Sequence, residues 1–336
     1  MSETDLTVAV TGPTGTFGFG LMPLLQSDDR VSRVVGIARR PFDAAAHGWS
    51  KMEYRRGDVR DPDALTSAFS DVDVVVHLAF LIVGGRRETT RAINIDGTVN
   101  AFRAAAAAGA RRFVYASSVA AYGFHRDNPV GMREDWPTRP ADRLYYAQEK
   151  AELEEFLRGE ATRHPDVALY MLRPCIVLGP HTVGEKDLLP GPLAGFGRRL
   201  SRRLGRLPIP IPAPIPDVPM QFVHEDDVGS ALLQCVVAAG PPGAYNIAGA
   251  GVLSALDVAR ELGFIPIPVP ARPTYATARA LARLPFLPAT AEWVEALSHP
   301  AIMDTTLART QLGWTPRFSG LEALRDTLRR HPSPST

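Results

Sequence analysis

Cysteine is nearly absent. The chain of 336 residues has only Cys175 and Cys235, each inside an apolar run (MLRPCIVLG and SALLQCVVAA) where a buried thiol acts as a small hydrophobe. Neither a disulfide framework nor a metal framework follows. Charge imbalance is missing too: 37 Lys+Arg against 36 Asp+Glu leave a formal net charge of +1, so no bulk field gathers nucleic acid or an anionic membrane. Neither is expected as a partner. Long apolar runs are also lacking. The most apolar window, VDVVVHLAFLIVGG from Val72, is broken by Asp73 and His77 and is too short to cross a bilayer as a helix. The amino-terminal MSETDLT is acidic and polar, without the basic start and apolar stretch of a signal peptide, so a cytoplasmic protein is expected. No internal repeat is visible.

What is present is an alternation. Short β-branched runs (LTVAVTG, RVVGIA, DVDVVVHLA, RFVYASS, VALYMLRP) are separated by helical patterns at Thr16 to about Ser27, Asp61 to Phe69, Thr89 to Ala108 and Asp142 to Gly159. This rhythm predicts βαβ units and a doubly wound parallel α/β sheet of the Rossmann type, with about six or seven strands. The runs are nearly continuous in apolar residues, as strands covered on both faces must be. Residues 1–178 are expected to form the dinucleotide-binding domain, with a later strand near 221–248 joining its sheet. Residues 179–330 are expected to form mainly a smaller substrate lobe, and 331–336 a frayed tail. In that lobe the prolines of LPIPIPAPIPDVP (Leu207 to Pro219) and IPIPVPARP (Ile265 to Pro273) alternate with other residues. Alternate N–H groups share one edge of a strand, so Ile209, Ile211 and Ile215 can pair on that side alone. The pattern predicts an edge strand or a polyproline segment.

Directly after the first strand comes TGPTGTFG, with Gly12, Gly15 and Gly18 separated by Pro13, Thr14, Thr16 and Phe17. A glycine-rich turn between strand and helix lets the backbone approach a pyrophosphate, whose charge meets free N–H groups and the positive helix end. The spacing GxxGxxG, flanked by a strand and a helix, resembles the extended short-chain dehydrogenase/reductase superfamily, whose members include NAD-dependent epimerases and dehydratases. At the end of the second strand an acidic residue would bind a free ribose 2′-hydroxyl, but Arg39 and Arg40 stand there. Guanidinium groups suit a 2′-phosphate by charge and bidentate geometry, which favours NADP, with NAD the alternative. The resemblance further implies that Asp58 and Val59 contact the adenine, although Asp61 and Pro62 equally mark a helix start. It also places Leu78, Ala79 and Phe80 along the cofactor. His77, within an apolar strand, reads as a satisfied core histidine.

RFVYASSVAAYG ends a strand in two serines, and 28 positions after Ser118 comes Tyr146 in LYYAQEK, with Lys150 four residues on. Residues four apart share a helix face. A free tyrosine, with a pKa of about 10, is a poor base at neutral pH, and a nearby cation is needed to favour phenolate. Tyr146 is therefore the expected proton carrier, with Lys150 tuning it and, by the resemblance, binding the nicotinamide ribose. The same resemblance makes Ser118, rather than Ser117, the serine that holds the substrate oxygen. It makes Asn94 the residue that steadies the lysine through water, and puts Pro174 and Ile176 beside the carboxamide. Tyr145 lacks the spacing to Lys150 and reads as packing; Arg173 and His224 read as structural. The helices containing Asn94 and Tyr146 often form a dimer interface in this superfamily, so a homodimer is expected.

Three functions are compatible with these residues. The first is an NADP(H)-dependent oxidoreductase interconverting a ketone or aldehyde with an alcohol. The second is a nucleotide-sugar epimerase or dehydratase that retains NAD, and the third a non-catalytic NADP-binding regulator, against which the Tyr146/Lys150 pair argues. In the nucleotide-sugar enzymes an arginine four residues before the histidine at 224 binds the substrate diphosphate; here that residue is Met220. Pro219, Gln221 and Phe222 supply no charge in its place. Arg198, Arg199, Arg202, Arg203 and Arg206 lie upstream, spaced around a helix as on a solvated surface. An uncharged or weakly polar small molecule is the expected substrate.

Overall fold

A computed structural model describes residues 5–82, 86–182, 211–270 and 299–330. Ile209, the arginines from 198 to 206 and the tail at 331–336 lie outside the described residues. The chain begins β1 (Leu6–Thr11), α1 (Thr16–Ser27), β2 (Val31–Ala38), β3 (Met52–Arg56), α2 (Pro62–Ala68) and β4 (Val74–His77). It continues α3 (Arg87–Arg91), a π-helical turn (Ala92–Asp96), α4 (Gly97–Ala107), β5 (Arg112–Ala116), α5 (Tyr145–Arg163) and β6 (Ala168–Pro174). Then follow the short strands β7 (Ile176–Leu178), β8 (Ile211–Pro216), β9 (Pro219–Met220) and β10 (Phe222–His224), a helix (Glu225–Val236), and β11 (Gly243–Ile247). Further on are β12 (Leu253–Ser254), β13 (Phe264–Val269) and the helices Ala255–Glu261, Thr306–Gln311 and Gly320–Arg330.

Seven strands form one parallel sheet in the order β11-β6-β5-β4-β1-β2-β3. The chain reverses its direction of growth between β1 and β4, the topological switch point where such sheets bind dinucleotides. Both sheet faces are covered. Val8 and Val10 pack with Leu21, Leu25, Val228 and Leu232 on one side, while Ala9, Val35 and Val75 pack with Phe102, Phe113, Leu153 and Leu157 on the other. Successive side chains of a strand face opposite ways, so an unbroken apolar run is what two covered faces require.

The helix containing Asn94 starts at Arg87, two residues before its expected start, and is interrupted by the π turn, which no periodicity signals. α5 runs from Tyr145 to Arg163 rather than from Asp142 to Gly159. Its last turn is extended past the glycine by Glu160, which is ion-paired to Arg163 and, at 3.7 Å, to Arg103. The two proline-rich segments pair with each other: β8 and β13 form a parallel ribbon in which Ala213 faces Pro266 and Ile215 faces Pro268. The free N–H groups of each strand thus face the one paired edge, and neither strand is central. Among the described residues no helix is long and apolar enough to cross a membrane.

Candidate active site

At the switch point, Gly12 follows β1 with φ of +71°, and a Cβ there would lie 3.0 Å from the backbone of Ala79. Only glycine combines that left-handed conformation with so close an approach. The Gly12 N–H donates to the Ile37 carbonyl at 2.8 Å and its carbonyl accepts from Gly15 N–H at 3.2 Å, which curls the loop over the end of the sheet. Gly18 repays the curl: a Cβ there would stand 2.0 Å from the Pro13 carbonyl oxygen. α1 then begins with Gly15 as its N-cap, without a side-chain cap or an acidic residue in the first turn. Bare N–H groups at a helix start are chemistry suited to a diphosphate. Thr14 and Phe17 are half-buried in this turn, and the Thr16 hydroxyl donates to the His181 carbonyl at 3.3 Å. The loop as built fits a dinucleotide.

On the far side of β4, the turn after β5 and the first two turns of α5 bring Ser118, Tyr146 and Lys150 together. Ser118 Oγ accepts from Ala120 N–H at 3.1 Å, which leaves its own proton for another oxygen. Ser118 is also hydrogen-bonded to Tyr146. Burial pushes the Tyr146 hydroxyl up to about 12, and the bond from Ser118 opposes that rise. Lys150 is buried and donates to the Ala116 carbonyl at 2.7 Å and the Tyr115 hydroxyl at 3.1 Å. Its ammonium lies 5.8 Å from the Tyr146 ring centre and 3.7 Å from that of Phe80. Burial pulls Lys150 down to about 7 against the fields of Glu154 and Glu149. A cation held beside a phenol in low dielectric makes phenolate more accessible.

Behind these groups lies a polar layer that motif reading missed. Glu154, one helical turn after Lys150 and fully buried, accepts from Arg173 at 2.9 and 2.7 Å and from the Ser117 hydroxyl at 2.5 Å. Burial raises its carboxyl, but Arg173 more than offsets this and the net is below the ordinary value. Arg173 also donates to the Tyr122 hydroxyl at 2.6 Å, which donates to Asn246 at 2.8 Å. The available signal was the four-residue spacing from Lys150 to Glu154, which puts both on one face.

Asn94 has other partners than the lysine. Its side-chain oxygen accepts from Leu81 N–H at 2.8 Å, and its amide donates to the Leu81 carbonyl at 2.9 Å and to buried Glu149 at 2.7 Å. His77 joins the layer to the glycine loop. The Thr98 hydroxyl donates to the Asn94 carbonyl at 2.6 Å, so it accepts from His77 Nε2 at 3.0 Å. His77 Nδ1 then accepts from Thr11 at 2.8 Å. Both ring nitrogens are satisfied, and burial holds the neutral form down to about 3, with the Lys150 charge adding to it.

Toward the second strand, Arg39 and Arg40 are exposed while their backbone is pinned from β3: Arg56 Nε donates to the Arg39 carbonyl at 3.1 Å and Tyr54 to the Arg40 carbonyl. Asp58 is gripped by Arg60 at 3.0 and 2.6 Å, and that fork holds its carboxyl below the usual range, against partial burial. Asp61 caps α2, accepting from Asp63 and Ala64 N–H at 3.0 and 3.2 Å, while Val59 packs at Gly97. Leu78, Ala79 and Phe80 are half-buried beside the loop, Pro174 closes β6, and Ile176 is exposed on β7. His224 caps the helix Glu225–Val236, accepting from Asp226 N–H at 3.1 Å, contacts Asp326 at 3.3 Å and stacks on Phe318. Met220 is tied into a two-residue antiparallel bridge opposite Leu253. Tyr145 lies under Arg87, whose guanidinium is 4.4 Å from the ring centre.

The sequence profile of the NAD dependent epimerase/dehydratase family matches residues 8–248. Among curated proteins, Rv0501 of Mycobacterium tuberculosis is 28% identical over 331 residues, which are 96% of this chain and 83% of that protein. Sterol demethylase protein B of Methylococcus capsulatus is 32% identical over 179 residues, 52% of each chain. Among solved structures, the UDP-glucose 4-epimerase of Thermotoga maritima with UDP-glucose superposes with a TM-score of 0.71 at 20% identity, covering 97% of this chain and 98% of that one.

Proposed function

We propose, on the premise that this chain belongs to the NAD-dependent epimerase/dehydratase family, that it takes hydride from a carbinol carbon, or delivers it to the corresponding carbonyl carbon, through Ser118, Tyr146 and Lys150. The observation that carries this is the buried Lys150 ammonium beside a tyrosine hydrogen-bonded to Ser118. When bound, the nicotinamide dinucleotide supplies the hydride acceptor or donor. Gly12, Thr14, Gly15, Thr16, Phe17 and Gly18 would hold its diphosphate, Asp58 and Val59 its adenine, and Arg39 and Arg40 a 2′-phosphate if the cofactor is NADP. Leu78, Ala79 and Phe80 would line its ribose and Pro174 and Ile176 its carboxamide. Ser118 orients the substrate oxygen and Tyr146 Oη takes or returns its proton, while Lys150 lowers the free energy of the phenolate and binds the nicotinamide ribose. Tyr146→Phe should lower turnover at least about a hundred-fold with cofactor affinity nearly unchanged; most of the activity surviving would refute the assignment.

The family and the UDP-glucose-bound neighbour support the epimerase or dehydratase form, in which NAD stays bound and the hydride returns to the same substrate. One observation favours the other form, a ketone/alcohol oxidoreductase: Met220, locked opposite Leu253, offers a thioether where a diphosphate needs a cation. An absorbance spectrum of the purified protein and a titration with UDP- and dTDP-sugars separate the two. Retained nucleotide, oxidised or reduced, together with micromolar sugar-nucleotide affinity marks the first, and the absence of both marks the second.

A further inference from the structure

Phe80 touches both reacting side chains at once. Its ring centre is 3.7 Å from the Lys150 ammonium, and it meets the Tyr146 ring edge-on, with centroids 5.6 Å apart and planes at 85°. The ammonium has three protons. Two are directed at the Ala116 carbonyl and the Tyr115 hydroxyl, and of the aromatic faces near the cation that of Phe80 is nearer than those of Tyr115, at 4.7 Å, and Tyr146. The ring is also held from behind, since the next residue, Leu81, has both backbone groups clamped by the single amide of Asn94, and that amide is fixed by Glu149. Asn94 sits in the π turn Ala92–Asp96, a local widening that occurs often at functional sites.

We propose that Phe80 is a positioning residue that seats the Lys150 ammonium on its face and fixes the Tyr146 ring against its edge, and that the Glu149–Asn94–Leu81 clamp serves to hold Phe80 there. The physical basis is the ring quadrupole, negative on the face that meets the cation. In a desolvated site that attraction replaces part of the hydration the ammonium has lost. The catalytic consequence rests on the hydride-transfer reading; the seating of the cation does not. The other groups around Lys150 are Tyr115 on β5, Tyr146, Glu149 and Glu154 on α5, and His77 on β4. Both carboxylates favour the ammonium, and His77 is held neutral.

The chain has only three lysines, Lys51, Lys150 and Lys186, so ε-carbon-13 lysine labelling gives three NMR signals, and Lys150→Met identifies the one that matters. In Phe80→Leu, which keeps an apolar side chain but removes the ring, the Lys150 midpoint should fall by about one pH unit. Phe80→Tyr should restore it. Turnover at pH 7 should then drop about five-fold, from the smaller protonated fraction of Lys150, and approach that of the parent protein near pH 5, with KM little changed. An unmoved midpoint in Phe80→Leu overturns the proposal. If Phe80→Leu does not fold, Phe80→Trp decides: the larger π face should raise the midpoint, and a midpoint unmoved or lowered overturns the proposal equally. Because the titration is read without substrate, activity surviving in Tyr146→Phe would remove the hydride-transfer reading and leave this test standing.

Discussion

Replacing Glu154 by Gln should destabilise the protein far more than one exposed ion pair would. Glu154 and Arg173 are both fully buried, joined by two hydrogen bonds of 2.9 and 2.7 Å. The amide keeps the shape but takes away the guanidinium's hydrogen-bonded counter-charge, leaving neutral hydrogen-bond partners such as the Tyr122 hydroxyl and the weaker field of the Glu134 carboxyl. Breaking such a pair from one side costs about 3–5 kcal/mol. Arg158, the other cation on Glu154, is 44% exposed and adds little. Scaled to 336 residues, an unfolding entropy of about 2.1 cal/mol/K per residue turns that loss into a fall of about 4–7 °C in Tm. The pH dependence has a definite sign. The folded carboxyl titrates below its ordinary range, so its contribution is present above the unfolded pKa and is lost as pH falls through the folded value. Urea unfolding of both proteins at several pH values should therefore show a gap that is full at neutral pH and narrows in acid. A loss under about 1 kcal/mol at pH 7 would refute the view that this pair is a dry ion pair supporting Ser117.

Two further results are expected. Arg39→Ala with Arg40→Ala should weaken NADPH much more than NADH in a binding titration, because only the former presents a phosphate dianion; equal losses, or a parental preference for NADH, would make these arginines bystanders. His77 stays neutral in the folded protein down to about 3 but binds a proton below about 6.5 when unfolded. Its contribution therefore rises with pH by about 1.4 kcal/mol per unit across that window and is lost as pH falls. His77→Gln should flatten the stability profile between pH 4 and pH 6 by that slope, and parallel profiles would contradict the neutral, doubly hydrogen-bonded histidine.

What was legible in the sequence was local. The strand-helix rhythm depends on period and length, and the glycine turn on three residues with a strand before and a helix after, so both could be placed from the sequence alone. The Tyr146–Lys150 pair is set by one helical turn. What escaped depends on partners far along the chain. Glu149 and Glu154 lie in AQEKAELEEF, a stretch that reads as a solvated helix face. They are buried because Asn94, 55 positions earlier, and Arg173, 19 later, reach them. The π turn adds one residue per turn without altering composition, so no periodicity reveals it. The missing N–H groups of the proline-rich segments limit them to an edge strand or a polyproline segment, but only the fold shows that each is the other's partner.

The polar groups of the site divide into those consumed by the protein and those left for chemistry. Ser117, Glu154, Asn94, His77 and Arg173 bond to one another, to the side chains of Thr11, Thr98, Tyr122 and Glu149, or to backbone within the fold. Ser118 and Tyr146 are joined to each other at the end of β5, and the apolar side chains around Tyr146 come from Ala120, Ala141, Leu144, Ala147 and Phe124. In the proposed reaction the buried cluster holds the Tyr146 ring, and the hydrogen-bonded layer behind it holds the frame against which Ser118 and Tyr146 act.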